Sequence, residues 1–215
     1  MFGSTTQPAV KICGITRADQ AADIATAGAD ALGINLWERS KRFVPLADAT
    51  RWLPALRDHA FLVAVVVNPA AALLDEIIAT KLFHAIQLHG DETPHTVAAL
   101  MDRGVEVIKA LQVRSRESLA AIAGYPTPCI LLDSFNPGLY GGAGTAFPWE
   151  LAREARDLYP DKHIILAGGL TPENVRSAVE QTHPHAVDVA SGVESAPGEK
   201  DLKLVRRFIE EARPA

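Results

Sequence analysis

Short apolar runs alternate with longer stretches rich in alanine, leucine and charged residues along most of the chain. Eight short runs are rich in β-branched residues and are predicted to be strands: 9–13, 31–36, 61–67, 84–89, 105–111, 129–133, 163–167 and 186–190. The intervening stretches predict eight helices: 17–26, 46–58, 70–81, 94–103, 116–123, 148–159, 172–181 and 200–212. Strands that alternate with helices in this way form a parallel sheet with right-handed crossovers.

Residues at the predicted helix ends support these boundaries. The predicted N-terminal caps are Asp48, Thr93, Ser115 and Thr171. Proline suits the first helical position, which Pro94 and Pro172 would occupy. Gly28 and Gly104 follow the first and fourth helices, where a left-handed residue commonly ends a helix.

Eight strand-helix units in 215 residues predict an α/β fold, a single (β/α)8 TIM barrel. We expect one domain over residues 1–215, with residues 1–8 as a loose N-terminal arm. A doubly wound open sheet is the alternative, and it would usually carry a glycine-rich dinucleotide loop after its first strand. The first strand here is followed by Gly14-Ile15-Thr16, which is not such a loop.

Charge and composition narrow the class of protein. A net charge of −5 gives no basic field for nucleic acid. The longest apolar run, 61–67, is far shorter than the roughly 20 residues of a membrane span. The first residues lack the features of a signal peptide, and two cysteines are too few for a disulfide framework. We therefore expect a cytoplasmic protein with no nucleic-acid or membrane partner.

Polar residues and glycines collect where the predicted strands end, which is the catalytic face of such barrels. The residues in question are Cys13, Asn35, His89, Asp133, Gly168, Gly169, Ser191 and Gly192. A thiol at a strand end can meet a small molecule, although a free cysteine is more often a buried small hydrophobe. Because Cys129 would lie two layers below Asp133 on the sixth strand, we predict it to be a core residue.

Glycines after the seventh and eighth strands predict a phosphate site. Glycine lets backbone N–H groups approach phosphate oxygens, and these two loops are the usual phosphate cradle of barrels. Gly168 and Gly169 form one pair, while Ser191 and Gly192 add a hydroxyl and a second approach. The alternative is that Gly168-Gly169 is only a tight turn.

Three further side chains have both a structural and a functional interpretation. Asp133 could hydrogen-bond a loop amide, or stay protonated in a desolvated barrel mouth and act as an acid. His89 could be part of the hydrogen-bonded structure or a substrate contact. Arg42, next to Lys41, could lie on a solvated charged surface or bind a substrate carboxylate.

Strand alternation makes one specific structural prediction. If Cys13 points into the barrel, Lys11 does too, and Asp188 on the eighth strand lies between apolar neighbours. The first and eighth strands are adjacent in a closed barrel. Since neither charge would be buried alone, we predict that Lys11 and Asp188 form a buried pair.

Lys11-Ile12-Cys13-Gly14-Ile15-Thr16 resembles the opening signature of the phosphoribosylanthranilate isomerase family. Five more segments resemble that family in the same order: 33–35 with 40–44, 87–90, 132–134 with 140–144, 166–175, and 188–194 with 197–201. The resemblance implies a TIM barrel that isomerises N-(5-phosphoribosyl)anthranilate in tryptophan biosynthesis. The related isomerase of histidine synthesis would be expected to use two aspartates, whereas the first strand of this chain ends in Cys13.

By position, the resemblance implies that Cys13 is the general base and Asp133 the general acid. It implies that Arg42 binds the substrate carboxylate and that Gly168, Gly169, Ser191 and Gly192 bind the phosphate. His89, Asn35 and Asp188 are candidate substrate contacts. No metal or organic cofactor is implied, and we expect a monomer or a homodimer with a phosphorylated small molecule as substrate.

The glycine-rich loop after the sixth strand departs from the family pattern. The family usually has threonine, lysine, threonine and aspartate where this chain has Ala143, Thr145, Ala146 and Pro148. We expect altered hydrogen bonding within the loop and the same reaction. Another phosphosugar isomerase or epimerase on the same barrel stays an alternative, as does a phosphate-binding barrel without catalytic activity.

Overall fold

The computed structural model describes residues 7–134 and 148–213, and it contains a closed barrel of eight parallel strands. The strands are β1 Ala9–Cys13, β2 Ala31–Asn35, β3 Phe61–Val66, β4 Ala85–Leu88, β5 Glu106–Val113, β6 Cys129–Ser134, β7 His163–Leu166 and β8 Ala186–Val189. Each strand pairs with the next, and β8 pairs with β1 to close the barrel. This confirms the predicted fold class and excludes the open sheet.

Helices surround the barrel. They are α1 Ala18–Thr26, α2 Leu46–Ala49, α3 Ala71–Thr80, α4 Pro94–Asp102, α5 Trp149–Leu158, α6 Val175–Thr182 and α7 Leu202–Ala212. Short 3₁₀ helices cover Leu53–Leu56, Arg116–Gly124 and Ser191–Val193. A two-stranded hairpin, β9 Glu194–Ala196 with β10 Glu199–Lys200, follows β8 and was not predicted from the sequence.

Two predicted helices differ from the structure in continuity or in helix type. The expected helix 46–58 is divided into α2 and a 3₁₀ helix, because Pro54 has no N–H to continue an α-helical ladder. The segment predicted as a helix over 116–123 is a 3₁₀ helix that begins after Ser115, the predicted cap, which forms a capping box with Ser118.

The predicted helix ends are right at some positions and wrong at others. Thr93 caps α4, and Gly28 and Gly104 have positive φ angles of 101° and 77°. Asp48 does not cap a helix, because α2 begins two residues earlier at Leu46.

The helix predicted over 172–181 is α6, and it begins later, at Val175, so neither Thr171 nor Pro172 starts it. The Asn174 side chain holds the preceding turn instead. Its Oδ1 accepts from Thr171 N at 2.8 Å, and its Nδ2 donates to Gly169 O at 2.9 Å. This turn fixes the loop that leaves β7.

The core has two layers separated by the barrel wall. Inward-facing side chains such as Val63, Ile108 and Leu131 fill the barrel, whereas outward-facing ones such as Ile12 and Phe208 pack against the helices. Burial on both faces explains why the strands are nearly continuous apolar runs.

Only part of the expected N-terminal arm is described, since residues 1–6 lie outside the described range. Pro8 is buried, and its carbonyl oxygen accepts a hydrogen bond from Arg213 Nε at 2.9 Å. This end of the arm is therefore held by the C-terminal end of the chain and is not loose. Within the described ranges, no helix has the length and apolarity needed to cross a membrane.

Truncation of Phe208 tests the outer layer of the core. Phe208 on α7 is fully buried, so Phe208→Ala is expected to lower the free energy of unfolding by about 3–5 kcal/mol. The control is Leu158→Ala, because Leu158 is 50% exposed and should cost less than about 0.5 kcal/mol. Urea unfolding followed by circular dichroism measures both, and equal losses would contradict this description of the core.

Candidate active site

The carboxyl ends of the strands surround a cavity of about 520 Å³. All ten candidate site residues line it: Cys13, Asn35, Arg42, His89, Asp133, Gly168, Gly169, Asp188, Ser191 and Gly192. They come from six of the eight strand-loop units, so barrel closure brings them together. This size suits a small-molecule ligand.

Lys11 and Asp188 form the predicted buried pair. The Lys11 Nζ atom lies 2.6 Å from Asp188 Oδ1, with 0% and 9% of the two side chains exposed. Burial alone would lower the pKa of Lys11, but Asp188 and the nearby Cys13 sulfur raise it above its usual value. Lys11 is therefore a charged ammonium inside the barrel.

Cys13 ends β1 at the floor of the cavity, and burial raises the pKa of its thiol. The positive charge of Lys11 opposes this shift without overcoming it, while Asp188 adds to it. The neutral thiol is therefore the resting form. To act as a base, Cys13 needs additional positive charge in the cavity once a ligand is bound.

Asp133 and His89 contact each other across the cavity mouth. His89 Nε2 lies 3.2 Å from Asp133 Oδ2, and Asp133 Oδ1 accepts from Ser134 N at 2.8 Å. Gln87 Nε2 lies 2.8 Å from His89 Nδ1. The Gln87 amide can present either its nitrogen or its oxygen to His89 Nδ1, so Nε2 can accept from the acid form of Asp133 or donate to its carboxylate. Sequence reasoning missed Gln87, although its position two residues before His89 places both side chains inside the barrel.

Arg42 is bound to Glu194, a residue that the sequence analysis did not select. Arg42 Nε and Nη2 donate to the two Glu194 oxygens at 2.7 and 2.6 Å. One edge of the guanidinium is therefore occupied. A ligand carboxylate would have to use the edge formed by Nη1 and Nη2, or displace Glu194.

Lys200 also binds Glu194, and this lysine was likewise missed. Its Nζ atom donates to Glu194 Oε1 at 2.7 Å and to Ala190 O at 3.0 Å. Burial alone would raise the pKa of the Glu194 carboxyl, but the Arg42 hydrogen bond and the Lys200 charge hold it below its usual value. Burial lowers the pKa of the Lys200 ammonium, and the attraction of Glu194 opposes this shift without overcoming it.

The loops after β7 and β8 contact each other closely. Gly168 and Gly169 have φ angles of 84° and 66°, which other residues rarely adopt. A Cβ on Gly192 would lie 1.9 Å from Leu170 O, so only glycine fits there. Gly168-Gly169 and Ser191-Gly192 thus lie together at one end of the cavity, the place where a phosphate is predicted.

Several expectations lie at the edge of this site or outside the described residues. Asn35 Oδ1 accepts from Trp37 N at 3.0 Å, so this side chain already braces its own loop. The loop positions 143, 145 and 146 are outside the described residues, and the exposed Pro148 directly precedes α5.

Cys129 lies away from the cavity, and the described residues also decide whether a metal site is present. Cys129 packs against the inner core, but it is only partly buried, at the end of the barrel opposite the cavity. Burial raises the pKa of its thiol to about 11. No cluster of three or more metal-ligating side chains occurs among the described residues.

The family model for N-(5'phosphoribosyl)anthranilate (PRA) isomerase matches residues 10–211. The chain belongs to the phosphoribosylanthranilate isomerase family. N-(5'-phosphoribosyl)anthranilate isomerase from Geobacter metallireducens is 46% identical over 204 residues, which cover 95% of this chain and 98% of that protein.

Solved structures of phosphoribosylanthranilate isomerases agree with this assignment. One shows monomers of the dimeric enzyme from Thermotoga maritima, with a TM-score of 0.83 and 35% identity. Another is a complex with reduced 1-(o-carboxyphenylamino)-1-deoxyribulose 5-phosphate, with a TM-score of 0.83 and 36% identity. Each alignment covers 95% of this chain and 98% of the other.

Replacement of Glu194 tests the ion pairs at the cavity rim. Glu194→Gln leaves the buried Lys200 and the half-buried Arg42 without their carboxylate, and we expect a loss of about 3 kcal/mol of unfolding free energy at pH 7. Because folding lowers the pKa of Glu194, its contribution is present above the unfolded value near 4.5 and is lost as the pH falls through the lower folded value.

The measurement is urea unfolding of the parent and the variant between pH 3 and pH 7. Glu76→Gln is the control, because Glu76 is exposed on α3 and should cost less than about 0.5 kcal/mol. A difference between parent and Glu194→Gln that grew at low pH would contradict the assignment.

Proposed function

We propose that this chain catalyses the Amadori rearrangement of N-(5-phosphoribosyl)anthranilate to 1-(2-carboxyphenylamino)-1-deoxyribulose 5-phosphate. Cys13 is the general base and Asp133 the general acid. The observation that carries the proposal is that a thiol from β1 and a carboxyl from β6 line one cavity beside the two glycine loops. Acid and base can therefore reach one sugar from two sides.

The first step is ring opening. Asp133 in its acid form gives its proton to the furanose oxygen, and the bond between that oxygen and C1 breaks. The anilino nitrogen supplies the electron pair, so a cationic Schiff base forms. His89 Nε2–H and Ser134 N can then donate to the Asp133 carboxylate that remains. These donors stabilise the negative charge that the step leaves on the protein.

The second step is proton transfer at carbon. The cationic Schiff base acidifies the C2 proton and adds positive charge next to Cys13, which the buried thiol needs in order to ionise. Cys13 first gives its thiol proton to solvent in the open cavity. The thiolate then removes the C2 proton, and the electron pair of the broken C2–H bond neutralises the iminium to give an enolamine. Addition of a proton at C1 and loss of the O2 proton complete the aminoketose, so the reaction is an isomerisation with no net change in atoms.

Two groups bind the ends of the substrate. The backbone around Gly168, Gly169, Ser191 and Gly192 holds the 5-phosphate, and Arg42 holds the anthranilate carboxylate through the edge that Glu194 leaves free. The related complex with a reduced carboxyphenylamino deoxyribulose phosphate supports a ligand of this class. His89 and Asp188, which also line the cavity, stay candidate contacts for the sugar hydroxyls.

Further features of the chain stay predictions: a reaction without metal or organic cofactor, a cytoplasmic location, and a monomeric or homodimeric state. The dimeric relative from Thermotoga maritima supports the homodimer as one of the two states.

The decisive experiment follows the loss of substrate fluorescence. Cys13→Ser and Asp133→Asn should each reduce kcat by about 10²–10⁴-fold, because each removes one partner in proton transfer. Cys129→Ser is the matched control, since that thiol lies at the other end of the barrel and should retain activity. Circular dichroism checks that each variant is folded. Full activity in Cys13→Ser would falsify the base assignment.

A further inference from the structure

Lys11 is a buried charge that the proposed reaction does not use. It is completely buried inside the barrel, two residues before Cys13 on the same strand. Burying an ammonium costs free energy even when it is paired, and proteins with apolar residues of similar volume in place of a buried ion pair are often at least as stable. The charge at this position therefore calls for an explanation beyond packing.

The absence of a side chain at Gly33 leaves space between the Lys11 ammonium and the Cys13 sulfur. Gly33 on β2 is the register partner of Cys13. A Cβ at this position would lie 2.9 Å from Cys13 Sγ and 3.1 Å from Lys11 Nζ. Because glycine leaves that space open, the Lys11 side chain can extend one layer up the barrel and face the sulfur.

We infer that Lys11 is a positioning residue that stabilises the Cys13 thiolate, and that Asp188 holds its ammonium in place while limiting its effect. This inference rests on the proposed role of Cys13 as the base. The two charges act on the sulfur with opposite signs: the ammonium favours the thiolate, and the carboxylate disfavours it.

Lys200 and Arg42 also act on the sulfur from neighbouring elements, and the titratable His89 and Asp133 line the same cavity. Among the charges that act on Cys13, Lys11 contributes most to lowering the pKa of the thiol. It is also part of the barrel wall and is present before a ligand binds. Lys11 thus supplies the fixed part of the positive charge that the reaction needs, and the Schiff base supplies the rest.

The test measures the reactivity of Cys13 without substrate turnover. Cys13 and Cys129 are the only cysteines in the sequence, so Cys129→Ala leaves one thiol. In this background, the rate of alkylation by iodoacetamide is measured from pH 7 to pH 10 for the parent, Lys11→Met and Asp188→Asn. Lys109→Met is the matched control, because Lys109 is equally buried and pairs with Glu92 at 2.9 Å outside the barrel interior.

We expect Lys11→Met to slow alkylation at pH 8 by at least about tenfold, which corresponds to one pKa unit. Asp188→Asn should accelerate it, because the opposing negative charge is gone. Lys109→Met should leave the rate unchanged although it also loses a buried ion pair. With substrate, Lys11→Met should lower kcat by a similar factor and change KM by less than about threefold.

Two results would overturn the inference: parental alkylation rates in folded Lys11→Met, or slower alkylation in Asp188→Asn. If Lys11→Met does not fold, the Asp188→Asn measurement decides alone. Failure of the proposed function is distinguishable, because it would appear as retained turnover in Cys13→Ser, whereas the alkylation rates depend only on the charges around the thiol.

Discussion

Closure of the barrel between β1 and β8 is the constraint on which the site depends. Their pairing places Lys11 opposite Asp188 in register, so two buried charges neutralise each other at the seam. Slippage by one residue would turn one of them towards the outer apolar layer, where it would have no partner. The pair thus favours one register, and the same register sets Cys13 at the top of β1, beside the cavity.

The fold and the strand-end residues could be predicted because they depend on local pattern. Apolar runs of the right length predict strands, and parallel strands place their carboxyl ends at one face, which collects Cys13, His89 and Asp133. Even the Lys11–Asp188 contact follows from side-chain alternation and from adjacency in a closed barrel. The predicted start of α6 was wrong because the Asn174 side chain holds the preceding residues in a turn. Helix periodicity does not reveal that such side-chain hydrogen bonds compete with the helix for backbone groups.

The partners of Arg42 could not be predicted from the sequence. Glu194 lies 152 residues away, on a short hairpin whose strands carry almost no periodic signal. Lys200 is on the other strand of that hairpin, and only the antiparallel pairing brings both to the cavity rim. These contacts change the picture of Arg42 from a free guanidinium to one held in place on one edge. Its orientation towards a ligand is thus determined by residues that are distant in sequence.

Comparison of the two cysteines shows what makes a thiol useful in this barrel. Burial raises the pKa of both, so burial alone does not distinguish them. Cys129 has the carboxylate of Glu106 as its strongest charged influence, which disfavours a thiolate, whereas Cys13 has the Lys11 ammonium. A thiol that stays neutral at rest, and that ionises when a cationic intermediate joins the ammonium beside it, is protected from oxidation and alkylation between turnovers. The proposed mechanism therefore requires a fixed charge that is strong enough to assist ionisation and too weak to complete it, and the opposing charge of Asp188 beside Lys11 meets that requirement.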